Sequence, residues 1–365
     1  MFFLFFSVVA GLCTSFAVCI VLVITQSHHG RFSLDSTIGV QKVHSSPTPR
    51  VGGVAIAVGL LVATFWVSTG LHTLWLPLLL AAAPAFIMGL WEDVTKRVPI
   101  STRLLATMSS GLLACWLTGM VLTRVNVPMV DVLFTFLPFA VLFSAFAVSG
   151  ASNAVNIIDG FNGLSGGAVI ISALALGALA YSTNDLALVE VAAVVAGVTL
   201  GFLIVNFPFG KIFLGDGGAY VLGFLLGWMA IMLPVRNPEV SVWATLLACA
   251  YPILETLFSI VRRRRRARSP GAADRLHMHS LVSRRLVAQW WPQASALAQN
   301  SLTGALMWVA ALLPAVLAVQ WPTQSGALAL SFALCALAYS AVYARLTQFR
   351  WCISPATLVF SHKAV

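Results

Sequence analysis

The chain has 365 residues, of which 59% are hydrophobic and only 9% charged, and its formal net charge is +10. Soluble domains carry about 25% charged residues, so this chain lacks the polar groups to cover a globular surface in water. A soluble enzyme or binding module is thereby excluded, and lipid is the second solvent implied.

A hydrocarbon core of about 30 Å takes roughly 20 apolar residues per helix. The first such run, 2–25, has no basic leader and no clear small-residue cleavage site, and it predicts a retained first helix. Further spans are predicted at 51–69, 74–91, 104–123, 132–149, 167–183, 187–206, 218–234, 242–261, 301–320 and 325–344. Pro84, Pro138 and Pro252 fall inside these runs, which membrane helices tolerate. The fold class expected is an all-α integral membrane protein of about eleven transmembrane helices. Residues 1–344 form one polytopic domain and 345–365 a short tail. Cys13, Cys19, Cys115, Cys249 and Cys335 sit in apolar runs and Cys352 near the C-terminus, with no CxxC pair, so neither a disulfide framework nor a zinc site is expected.

Eleven spans put segments 26–50, 92–103, 150–166, 207–217, 262–300 and the tail on one face. That face carries 19 of the 21 Lys and Arg residues, and only Arg124 and Arg236 lie on the other. The positive-inside rule makes the first face cytoplasmic, with the N-terminus periplasmic and the C-terminus cytoplasmic.

The unusual polar residues fall on that same face, in HSSPTPRVGG (44–53), GLWEDVTKR (89–97), NAVNIIDGFNGLSGG (153–167), NFPFGKIFLGDGGA (206–219) and DRLHMHS (274–280). Asn153, Asn156 and Asp159 recur every three residues, on one helical face. Asp216 lies between Gly215 and Gly217, where bare amides suit phosphate oxygens. Asp159 and Asp216 are the natural ligands for Mg²⁺, which takes few carboxylates plus substrate phosphates. A lone Asp in such a loop is otherwise a helix cap, but acids near membrane depth are costly and point to function. Glu92 and Asp93 either serve chemistry, as base or as support for a metal shell, or cap their helix and pair with Lys96 and Arg97. His277 and His279 suit a diphosphate, or are solvated loop residues; no ligand pattern for zinc accompanies them. Arg50 sits at headgroup level, to clasp a lipid phosphate or to snorkel. The run Arg262–Arg266 with Arg268 reads as a topology signal that attracts anionic lipid, and nucleic-acid binding is not expected.

At these segments the chain resembles the polyprenyl-phosphate N-acetylhexosamine-1-phosphate transferases of glycosyltransferase family 4, over about residues 40–280. NAVNIIDGFNGL is similar to the family's Asn-x-x-Asn-x-x-Asp-Gly-x-Asp-Gly-Leu signature, IFLGDGGA to Phe-Met-Gly-Asp-x-Gly, EDVTK to Asp-Asp-x-x-Lys, and DRLHMHS to its histidine loop. The resemblance implies transfer of a sugar-1-phosphate from a UDP-sugar to undecaprenyl phosphate, releasing UMP, with Mg²⁺ (or Mn²⁺ in its place) as cofactor. It implies Asp159 and Asp216 at the metal, and Asp93, Glu92 and Lys96 as the catalytic set at the phosphates. Asn153, Asn156, Arg50, Lys211, His277 and His279 are then substrate-binding. The implied setting is the bacterial inner membrane, with membrane lipid around a possible homodimer and an initiating role in O-antigen-like polysaccharide synthesis. The chain departs from the pattern at Glu92 and Asn162, each in place of Asp, at Glu255, where relatives often carry Asp, and at Met278, which interrupts the histidine run. Met278 argues against a MurNAc-pentapeptide donor and toward a UDP-N-acetylhexosamine. The alternatives are an inactive lipid-phosphate-binding relative and a transporter, the latter predicting acids near mid-membrane in two matching halves.

Overall fold

The computed structural model describes residues 2–35, 47–265 and 276–348. Residues 44–46, Arg266, Arg268, Asp274, Arg275, Cys352 and the tail from residue 349 lie outside the described residues. The chain forms an all-α membrane-type bundle. Its helices in order are α1 (Phe2–Ile24), α2 (Gln26–Ser33), α3 (Gly52–Ala63), α4 (Thr69–Thr95), α5 (Ile100–Thr118), α6 (Pro128–Asp131), α7 (Leu137–Ile158) and α8 (Leu164–Ser182). They continue with α9 (Leu186–Asn206), α10 (Gly215–Arg236), α11 (Val242–Ala248), α12 (Ala250–Arg265), α13 (Met278–Val282), α14 (Ala288–Trp290), α15 (Ala296–Gln320) and α16 (Ser325–Thr347). The only strands among the described residues, β1 (Leu34–Asp35) and β2 (Thr48–Pro49), pair antiparallel and lead to Arg50.

Each expected span falls on helical residues, the one at 242–261 on two helices. Among the described residues nine helices are long and apolar enough to cross a membrane, and α11 with α12 makes a tenth, bent by 82°. The span expected at 51–69 is helical for only 12 residues, as α3. The bend has a local cause. Pro252 has no N–H for the Ala248 carbonyl four residues back, and its ring crowds that carbonyl. The Ser172 hydroxyl donates to the freed Ala248 oxygen instead, at 2.8 Å.

α10 is the central helix, packed against α3, α4, α7 and α8. Side chains such as Phe65, Trp116, Leu105 and Phe146 point outward and are exposed, as a lipid-facing surface requires. Two close approaches fix the centre. A Cβ on Gly53 of α3 would lie 2.3 Å from the Gly218 nitrogen, and one on Gly89 of α4 would lie 2.6 Å from the Gly217 Cα. Only glycine lets both backbones reach the first turn of α10. That contact brings Arg50, just before α3, and Asp93, near the end of α4, to Asp216.

Candidate active site

Asp216 is the second residue of α10, and Asp93 lies in the last turn of α4. Each is 1% exposed. Asp93 Oδ1 accepts the Asp216 amide at 2.8 Å, and its Oδ2 accepts the Gly217 amide at 2.9 Å. Amides in the first turn of a helix have no intrahelical acceptor. Asp93 therefore caps α10 from a neighbouring helix.

Asp216 gathers the rest. Its Oδ1 accepts from Arg50 Nη2 and, at 2.9 Å, from Asn156 Nδ2. Its Oδ2 accepts from Arg103 Nη1 at 2.5 Å and from the Tyr220 hydroxyl at 3.4 Å. Arg50 Nε lies 3.3 Å from Asp93 Oδ1, so this guanidinium bridges the two acids. Burial works against the Arg50 charge, but Asp216 and Asp93 outweigh it and hold its pKa above the ordinary value.

Asp159 follows the last residue of α7, and its Oδ1 accepts the Ser165 hydroxyl at 2.6 Å. Burial pushes its pKa up to about 6, against the lowering pull of Ser165 and Arg50. Asp159 and Asp216 stand with Asp93 opposite the guanidiniums of Arg50 and Arg103. Among the described residues no three His, Cys, Asp or Glu side chains converge as a ready-made metal cage. The all-oxygen character of Asp159 and Asp216 fits Mg²⁺ or Mn²⁺, whose shell is completed by water and substrate phosphates.

Other residues singled out by sequence take supporting positions. Glu92 Oε2 accepts the Val98 amide at 2.8 Å, closing the turn that Lys96 opens with its left-handed φ of 56°. Lys96 Nζ donates to the Leu34 carbonyl at 2.7 Å, tying that turn to the strand pair. Asn153 Nδ2 donates to Ser149 O at 2.8 Å and to Thr107 Oγ1 at 3.2 Å, one turn below Asn156. Lys211 is exposed and joins none of these bonds.

The two histidines form a separate wall. His277 Nδ1 lies 2.9 Å from Glu255 Oε1, and its ring stacks on His279 with centroids 5.2 Å apart. His279 packs edge-on to Phe161 at 5.5 Å. Burial pushes the His279 imidazole down to about 4, so it is neutral near pH 7.

Arg103 is absent from the residues that the sequence singles out, where it is one cation among 21. A signal is present nonetheless: a cation in the first turns of a helix opposes the helix dipole and calls for an anionic partner. Tyr220 and Ser165 carry no such signal.

The model of glycosyl transferase family 4 matches residues 75–234, which hold Asp93, Arg103, Asn156, Asp159 and Asp216. The chain is 27% identical over 241 residues to a probable undecaprenyl-phosphate N-acetylglucosaminyl 1-phosphate transferase of Bacillus subtilis (strain 168), covering 66% of each chain. It is 27% identical over 254 residues to the undecaprenyl-phosphate alpha-N-acetylglucosaminyl 1-phosphate transferase of Yersinia pestis, covering 67% of this chain and 68% of the relative. It is 31% identical over 281 residues to the decaprenyl-phosphate N-acetylglucosaminephosphotransferase of Mycolicibacterium smegmatis (strain ATCC 700084 / mc(2)155), covering 65% of each. The matches thus span about two thirds of the length of these relatives. All of the buried acid–arginine cluster except Arg50 falls within residues 75–234, the stretch that matches glycosyl transferase family 4.

Proposed function

We propose that the protein transfers N-acetylhexosamine-1-phosphate from a UDP-sugar to undecaprenyl phosphate, releasing UMP and forming undecaprenyl-diphospho-sugar. The observation that carries this reading is Asp216, buried at one end of a membrane bundle and held by Arg50, Arg103 and Asn156. A polyprenyl chain is apolar and its phosphate sits at the membrane surface. An enzyme joining it to a water-soluble nucleotide has to work at such an interface. The activities named for the relatives in Bacillus, Yersinia and Mycolicibacterium support the same class of reaction.

Asp159 and Asp216 would hold Mg²⁺, or Mn²⁺ in its place. That ion supplies charge neutralisation on the diphosphate and on the leaving UMP. Arg50 and Arg103 occupy the oxygens of Asp216 that such an ion needs. A phosphate would be a natural partner for either guanidinium were the ion to take its place at Asp216. Asn156 and Asn153 face the donor, and Lys96, Lys211 and the histidines bound the entry. The acceptor phosphate is already largely ionised near pH 7, with a second pKa of about 6, so it attacks the β-phosphorus without a strong base. The two amide bonds to Asp93 support a positioning role, in which it fixes Asp216 and Arg50, and through them the phosphates. Glu92 steadies the turn beside it. By the positive-inside rule the site faces the cytoplasm of a bacterial inner membrane, and the product is the first lipid-linked unit of an O-antigen-like polysaccharide.

UMP release by purified protein in detergent, with undecaprenyl phosphate and a panel of UDP-sugars, tests the reading. Release from one donor that needs both lipid and Mg²⁺, and is lost in Asp216→Asn, is expected. Binding of a UDP-sugar without any UMP release would count for the inactive-relative reading instead.

A further inference from the structure

Glu255 lies on α12, just beyond the 82° break. It is 0% exposed. A buried carboxylate in a membrane bundle is costly unless its oxygens are filled, and here four donors fill them. His277 Nδ1 is 2.9 Å from Oε1, and the Ser259 hydroxyl donates to the same oxygen at 3.3 Å. The Tyr339 hydroxyl of α16 donates to Oε2 at 2.7 Å, and the Met278 amide at 3.1 Å. The Met278 amide opens α13, so Glu255 caps that short helix as well as gripping the residue before it.

The grip is passed on. The His277 ring is nearly parallel to that of His279, 11° between planes. His279 meets the loop after α7 on two sides. Its ring packs edge-on to Phe161, and its Nε2 lies 3.2 Å from where a Cβ on Gly160 would stand. Gly160 is the neighbour of Asp159. A continuous path of contacts therefore runs from the bent helix, through two stacked imidazoles, to the loop that carries the carboxylate assigned to the cation. His279 Nδ1 is buried without a partner, so packing rather than a hydrogen bond holds this ring, and its place depends on His277.

We infer that Glu255 is a positioning residue, which sets the Asp159 loop by fixing His277 and, through the imidazole stack, His279 against Gly160. The inference rests on the transferase reading for its kinetic consequence, but its structural consequence stands apart from turnover. In Glu255→Gln the amide nitrogen replaces one acceptor and faces a donor, either His277 Nδ1–H with Ser259 or Met278 N–H with Tyr339. The histidine loop loses its anchor while the volume is kept.

The test is a double-mutant cycle of Glu255→Gln and His277→Ala, read by UMP release, with hydrogen–deuterium exchange on each protein. Loss of a supporting contact of this kind typically costs about tenfold or more in activity. Glu255→Gln is expected to lose about that much kcat/KM, and the double variant to lose no more than His277→Ala alone, because the two act in series. Exchange should rise in residues 159–163 and 276–282 and stay unchanged in 185–190, at the opposite end of the bundle. Additive losses, or unchanged exchange in 159–163, overturn the inference. Should Glu255→Gln not fold, Tyr339→Phe removes one donor alone and is expected to loosen 159–163 to a lesser degree; unchanged exchange there overturns it equally. If the wild-type protein releases no UMP, the transferase reading fails and the exchange data still decide this one.

Discussion

Asp93 and Asp216 are each an acid at a helix end, yet their partners give them different roles. Asp93 accepts two backbone amides, whereas Asp216 accepts only side chains. Asp93→Asn turns one acceptor into a donor facing an amide, so stability should fall by about 1–3 kcal/mol, and UMP release by about 100-fold as the phosphate-binding groups shift. Thermal unfolding in detergent beside turnover checks both; loss of turnover with full stability would return Asp93 to a role in the chemistry. Asp159 gives a prediction about pH. Burial raises its folded pKa from 3.8 to about 6, so the folded site binds a proton more readily than the unfolded chain. Its ionised form therefore lowers stability as pH rises through 4 to 6. A cation needs that ionised form, so below pH 6 apparent Mn²⁺ affinity should drop about tenfold per unit. Mn²⁺-induced thermal shifts at pH 5, 6 and 7.5 measure this, and a flat response would remove Asp159 from the cation site. These acids are legible in the sequence because charge near a membrane is conspicuous. The place of Asn162 is not. By the family signature it stands for a lost carboxylate, but its side chain bonds Pro208 O and Ser301 Oγ and its backbone amide bonds Asn300, none of them partners of Asp216. Spacing along one segment cannot tell which distant loops a side chain will meet.

At the scale of elements, the site exists because three backbones touch. α3 and α4 approach the first turn of α10 through Gly53 and Gly89. Gly89→Ala would set a Cβ within 2.7 Å of Asp216 C as well as Gly217, and neither backbone can yield without moving Asp93 or Asp216. Overpacking of this kind costs about 1–3 kcal/mol. Turnover should fall more steeply than stability, by about 100-fold, since misplacement by about 1 Å is enough. Thermal midpoints and UMP release on one preparation compare the two losses, and equal, small effects would mean that the helices slide without disturbing the cluster. The sequence places these helices well, since apolar length alone defines a span. It gives 242–261 as one span with Pro252 inside it. Proline marks where a helix weakens, but the 82° turn also needs Ser172, on another helix, to satisfy the Ala248 carbonyl. That partner is invisible from within the segment.

At the scale of the molecule, the two ends of the bundle are differently built. One end holds Arg50, Asp93, Arg103, Asn156, Asp159 and Asp216. The other is sewn by Asp185, which accepts Arg236 Nε at 2.6 Å and Nη2 at 2.9 Å, and by Glu190, which accepts the Ser68 hydroxyl at 2.6 Å and amide at 3.0 Å. Those latter acids close helix starts, while the former cluster lies at the end to which the sequence assigns 19 of the 21 Lys and Arg residues. By the positive-inside rule that assignment would put the acid–arginine end in the cytoplasm, the orientation proposed above. Single cysteines introduced in a cysteine-depleted background test this directly, at Arg97 beside the cluster and at Glu239 on the opposite end, both exposed. A membrane-impermeant maleimide should label Glu239→Cys in intact spheroplasts and Arg97→Cys only in inverted vesicles. The reverse pattern would put the cluster outside, where neither UDP-sugars nor the reaction proposed for them belong, and labelling of both from one side would mean that the number of crossings between them is even rather than odd.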